Sequence, residues 1–196
     1  LDARIRVVDA AGKGMERLAI RPYPEELEQT VSWQGQMITV RPIRPEDGQQ
    51  HIEFFKTLTP EDVRYRMFTQ VRMLTPAQLA RFTQIDYDRE MAFIATRRAG
   101  DGQSETIGVA RVIADPDNIS AEFAIIVRSD LKGKGLGHLL MTRLIDYCRA
   151  RGIREIVGET LCQNQGLLAL VRSFGFQANV SSGSDTMLLR LELQEN

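Results

Sequence analysis

The chain has 196 residues, 43% of them hydrophobic, enough for one full core plus a short appendage. Its 25 basic and 26 acidic residues leave a net charge of −1 with no long basic run, so bulk charge gives no support to non-specific nucleic-acid binding. No apolar run approaches the ~20 residues that span a bilayer, no secretory leader is evident, and Cys148 and Cys162 lack metal or disulfide spacing; the expectation is a cytoplasmic protein with reduced thiols, no membrane segment and no metal.

Residues 1–36 read differently from the rest. Residues 3–8 alternate like a strand, residues 17–20 form an apolar step, and Arg21-Pro22-Tyr23-Pro24 favours an extended chain ahead of the acidic residues 25–28. The chain starts at Leu1 rather than Met and reads as a piece of something longer. Residues 37–40 predict a strand, and the proline-marked run 41–47 a helix start, with Glu46 and Asp47 suited to the positive end of a helix over 48–58. Thr59-Pro60 opens a second helix and Thr75-Pro76 a third, ending near Thr83. Apolar runs over 89–97 and 105–114 predict strands separated by a turn at 98–102, and a further turn at 115–118 precedes a strand over 121–127. Leu136, Leu139, Leu140, Leu144, Ile145 and Cys148 form one stripe of a helix over 135–151, which Gly152 stops. A strand over 153–161, a helix over 164–174 and an alternating strand over 185–193 close the chain. His51 is expected on the surface of the first helix. Asp86, Asp88 and Glu90 form an acidic cluster that suits either a cationic substrate or a solvated loop.

The most informative segment runs from Val127 to Leu140, where a strand enters a turn holding Gly133, Gly135 and Gly137 and a helix follows at once. Exposed amides and the helix N-terminus make such a junction a phosphate cradle. No Ser or Thr follows Lys132 or Lys134, which excludes a Walker loop, and the G-x-G-x-G spacing deep in the chain does not fit a dinucleotide fingerprint.

The pattern on Lys132, Gly135 and Gly137 resembles the acyl-CoA pyrophosphate loop of the GNAT superfamily of N-acetyltransferases, with Lys132 standing where Gln or Arg is usual. Arg21–Glu26, Arg41–Asp47, Arg66-Met67-Phe68, residues 84–92 and Ala121-Glu122-Phe123-Ala124 resemble bacterial protein lysine acetyltransferases of the Pat type. The resemblance implies an α/β acyl-CoA N-acyltransferase fold: a mixed, mostly antiparallel sheet of about six to seven strands flanked by four or so helices. It also implies a division at 36/37. Residues 1–36 would be the tail of a preceding NDP-forming acyl-CoA synthetase-like region plus linker, and 37–196 the acetyltransferase domain.

The implied activity is acetyl transfer from acetyl-CoA to a protein lysine, acyl-CoA synthetases being the implied protein substrates. Glu122, a lone carboxylate in an apolar strand, is the candidate general base, on the expectation that its apolar neighbours desolvate it. The plain alternative is a solvent-facing Glu122 with Ala121 and Phe123 inward. By resemblance the donor site would use the backbone amides of Ile125, Ile126 and Val127, the loop Lys132, Gly133, Lys134, Gly135, Leu136, Gly137 and His138, and Asn164, which equally suits a plain helix cap. Val171 replaces the Tyr that relatives use as general acid. The thiol, with a pKa of about 8.5, is a fair leaving group without one. Two other readings keep their place: a small amine or protein N-terminus as acceptor, and a non-catalytic CoA-sensing module.

Overall fold

The computed structural model describes residues 21–193 apart from positions 70, 101, 182 and 184; the stretches 3–8 and 17–20 lie outside the described residues. Eight strands form one sheet in the order β1-β2-β3-β4-β5-β6-β8-β7. They are β1 (Gln29–Trp33), β2 (Gln36–Pro42), β3 (Glu90–Arg98), β4 (Ser104–Ala114), β5 (Ser120–Val127), β6 (Glu155–Leu161), β7 (Gln177–Val180) and β8 (Thr186–Glu192). Neighbours pair antiparallel except β5 and β6, which run parallel. Among the described residues there are also three short 3-10 turns and five α-helices: α1 (Gly48–Lys56), α2 (Pro60–Met67), α3 (Pro76–Thr83), α4 (Leu136–Ala150) and α5 (Gln165–Ser173).

The sheet is covered on both faces, which is why β3 reads as the unbroken apolar run Met91-Ala92-Phe93-Ile94-Ala95. Met91, Phe93 and Ala95 enter the larger core with α4 and α5, while Ala92 and Ile94 join Ile43, Phe54 and Val109 in a smaller core on the other face, under α1. The stripe on α4 is buried as its spacing predicts, with Met141 added and Leu139 at its margin. Fully burying such side chains contributes about 1.5–3 kcal/mol each. The Thr59 hydroxyl accepts from the Asp62 amide at 3.2 Å to cap α2, and Thr75 and Gln78 form a reciprocal capping box on α3.

The sheet has eight strands where about six to seven were expected, and the described strands not anticipated in chain order are β1 and β7. Both β1 and β7 lie at sheet edges, where polar residues face water and the alternation that marks a strand is weak. The expected boundary at 36/37 falls inside the β1–β2 hairpin, because Gln29–Trp33 pairs along its length with β2 and Trp33 is buried in the larger core. Residues 21–28 are also held against the sheet. The Tyr23 hydroxyl donates to Glu28 at 2.5 Å, its ring meets Tyr87 edge-on, and the Arg143 guanidinium donates to the Leu27 carbonyl at 2.9 Å. No helix among the described residues is long and apolar enough to cross a membrane.

His51 is not on the surface. It is 8% exposed, its Nδ1 has no hydrogen-bond partner, and its ring lies beside Phe54 and Phe82. Burial, then the nearby Arg111 charge, pushes its pKa from 6.5 down to about 4. The unfolded imidazole is therefore protonated below about pH 6.5 while the folded one stays neutral to about 4. Stability present above that window is lost as pH falls through it, by roughly 3 kcal/mol. Denaturant titrations between pH 7 and 4 should show this loss in the wild type and a much flatter profile in His51→Phe.

Candidate active site

The site forms where β5 and β6 part. Their pairing covers Ser120↔Glu155, Ala121↔Ile156 and Glu122↔Val157, and goes no further, whereas β5 stays paired to β4 through Val127. The Arg128 amide donates to the Ile107 carbonyl at 2.9 Å, so the register sends the amides of Ala124 and Ile126 to β4. The amides of Ile125 and Val127 point the other way, into the gap. Ile126 was expected to offer its amide here; antiparallel pairing uses alternate residues, and Ile126 lines the cavity while its side chain packs against the smaller core.

A cavity of about 360 Å³ opens along this gap between β5, α2, the glycine turn and α5. It is lined by Glu122, Ile125, Ile126, Val127, Lys132, Gly133, Gly135, Gly137, His138 and Asn164, all singled out in the sequence. Gly133 and Gly135 have φ of 71° and 84°, the left-handed region that favours glycine, and Gly135 is the N-cap of α4. His138 stacks on Phe174 with ring centroids 4.4 Å apart. The Asn164 side-chain Oδ1 caps α5 by accepting from the Leu167 amide at 3.2 Å, and its side-chain Nδ2 donates to the Thr160 hydroxyl at 3.1 Å, so the cap reading is realised at a cavity-lining position.

The geometry also bears on Lys134, Leu136, Glu122 and the acidic cluster. Lys134 and Leu136 are absent from the cavity wall: the Lys134 ammonium turns to the Asp130 carbonyl at 3.1 Å, and Leu136 is buried in the core at the start of α4. Glu122 is not enclosed, since Ala121 and Phe123 are buried while Glu122 between them stands exposed on the cavity side. The acidic cluster does not face the cavity either. Asp88 pairs with Arg21 and Arg151 at 2.7 and 3.0 Å, and Glu90 with buried Arg111, whose pKa burial lowers to about 9.

The sequence also missed half of the wall. Asp62, Tyr65, Arg66 and Phe68 come from α2 and its end, and Glu159 from β6, where it is exposed. On a short charged helix these read as solvated positions, and only the Arg66-Met67-Phe68 triplet carried any signal. Arg66 also lines a second, smaller cavity beside His51; burial lowers its pKa, opposed by the charge of Glu122. Val171, in the place of the expected acid, is buried in the core, while the Tyr65 hydroxyl on the cavity wall donates to Glu61 at 2.9 Å. The hairpin before residue 37 reaches the site as well: the Trp33 indole N–H donates to the Lys134 carbonyl at 2.8 Å and steadies the glycine turn.

Residues 61–176 match the model of the acetyltransferase (GNAT) family. The chain belongs to the GNAT family. Members of this family use acyl-CoA. The chain is 28% identical over 155 residues to Acetyltransferase PA5475 of Pseudomonas aeruginosa, covering 79% of this chain and 83% of that protein. It is 27% identical over 163 residues to Acetyltransferase Pat of Mycolicibacterium smegmatis, covering 82% of this chain and 46% of Pat, so it spans about half of that relative. The GNAT domain of S. lividans PAT superposes with a TM-score of 0.79 at 26% identity, over 88% of this chain and all (100%) of that domain.

At the point where the strands part, the Phe123 ring crosses Gly158, where an added Cβ would come within 2.5 Å of the ring. Gly158→Ala in this GNAT domain should therefore cost about 1–3 kcal/mol of stability by overpacking. Gly100→Ala, which meets nothing within 4 Å, should leave the melting temperature nearly unchanged in the same thermal scan.

Proposed function

We propose that this chain is the catalytic domain of an acetyl-CoA-dependent protein lysine N-acetyltransferase, working by direct transfer in a ternary complex. The observation that carries the reading is the convergence of exposed Glu122, the unpaired Ile125 and Val127 amides and the glycine turn on one cavity. The residues fit an acyl-CoA: open positive-φ glycines and the α4 N-terminus suit its phosphates, and the gap between β5 and β6 suits its extended arm. When bound, acetyl-CoA supplies an acetyl thioester.

Glu122 takes a proton from the acceptor ammonium, so that a neutral amine faces the acyl group. Its exposure keeps it reachable by an acceptor from outside the cavity. The Ile125 and Val127 amides donate toward the acyl oxygen as it gains charge. The thiolate leaves without a dedicated acid at Val171, consistent with a thiol pKa of about 8.5. The similarity to Pat supports a protein lysine as acceptor, and acyl-CoA synthetases are the protein substrates we propose. An upstream synthetase-like region in the same protein belongs to the same proposal.

Incubation with acetyl-CoA and purified acyl-CoA synthetases, followed by mass spectrometry, should locate acetyl groups on lysine side chains; acetylation confined to free amines or N-termini would replace the acceptor assignment. Glu122→Ala should lower turnover roughly 10²–10⁴-fold, the scale of a lost general base, with acetyl-CoA still bound. Near-normal turnover in that variant would remove Glu122 from the role.

A further inference from the structure

Lys132 stands at the start of the glycine turn, where the resembled pattern has Gln or Arg, and its ammonium does not point freely into the cavity. It is paired with Asp62 of α2, seventy positions away in sequence. Asp62 is 6% exposed on its side chain and Lys132 49%. The Ser129 hydroxyl donates to the second oxygen of Asp62 at 2.5 Å and accepts from the Thr59 amide at 3.0 Å. The Thr59 hydroxyl in turn caps Asp62's own amide at 3.2 Å. Burial works against the Asp62 charge, but the hydrogen bonds from Lys132 and Ser129 and the Lys132 charge outweigh it, and the carboxyl titrates below its ordinary value. Asp62 is thus an ionised, enclosed carboxylate at the donor end of the cavity, joined to the helix that also carries Tyr65 and Arg66.

We infer that Asp62 is a positioning residue of the donor site, which holds Lys132 and competes with the donor's phosphates for its charge. This inference rests on the reading of the glycine turn as the CoA phosphate site. A cation neutralised by a nearby carboxylate gives an incoming anion little attraction. As the phosphates draw Lys132 toward the turn, Asp62 keeps Ser129 but loses its counter-charge, so part of the binding energy is offset by leaving that carboxylate unpaired. The same ion pair ties α2, which lines the cavity with Tyr65 and Arg66, to the donor turn. Arrival of the donor therefore loosens α2.

The test is calorimetric titration of the full 196-residue chain with CoA, over a range of salt concentrations, for wild type, Asp62→Asn, Lys132→Gln and the double variant. Asp62→Asn should bind CoA roughly 3- to 10-fold tighter, with a steeper salt dependence, because the released ammonium meets the phosphates unopposed. Lys132→Gln should weaken binding little in the wild-type background and strongly in the Asp62→Asn background. Hydrogen exchange of α2 amides should rise on adding CoA to the wild type and stay constant in Asp62→Asn. A merely structural Asp62 predicts weaker CoA binding on its replacement, and unchanged or weaker binding by a folded Asp62→Asn overturns the inference. If that substitution unfolds the domain, additive effects of Lys132→Gln and Asp62→Glu, or unchanged α2 exchange in the wild type with CoA, overturn it equally. Failure of the wild type to bind CoA would overturn the donor-site reading itself, a result distinct from the others.

Discussion

Everything at this site depends on the parting of β5 from β6. The two strands share three paired positions and then diverge. Up to Glu122 the sheet holds the strand from both sides; beyond it, β4 alone holds β5. Amides left without a strand partner are costly in a core, so such a gap persists in a folded protein when water or a ligand can reach it. Here it is reached through the cavity. The last residue of β5 paired to β6 is the carboxylate that we propose as base, so the place where that pairing ends and the place proposed for the chemistry coincide.

Around that gap the protein arranges charge in three layers of different exposure. Glu122 and Glu159 are exposed carboxylates on the cavity wall. Arg66 faces Glu122 from α2, and Asp62 on the same helix holds Lys132 of the donor turn. A helix only two turns long thereby touches both ends of the cavity. Its position rests on a threonine cap and an ion pair, because it presents few apolar side chains to the core. Dependence of position on charge, rather than on packing, is what lets an anionic ligand act on it.

The long elements were legible because their signals are local. The stripe of α4, the capping residues of α2 and α3 and the continuous apolar run of β3 each follow from the periodicity of a covered surface. The edge strand β1 was not legible: Gln29-Thr-Val-Ser-Trp33 buries one side chain fully, and its indole is needed by a turn a hundred residues away. His51 looked like a surface residue for a similar reason. A single polar residue on an amphipathic helix gives no sign that Phe82 and Arg111 will close over it.

The sequence by itself determined the glycine turn, since a glycine-rich junction between a strand and a helix specifies its own geometry through local backbone rules. It also named Glu122, because a lone carboxylate in an apolar strand is conspicuous. Only the tertiary structure decided that Glu122 is exposed rather than enclosed, that alternate amides of β5 are available, that Lys134 faces away, and that Lys132 is already engaged by Asp62. Each of these turns on which element lies opposite in space, and the pairing of charges and strands distant along the chain leaves no trace in the local pattern of either partner.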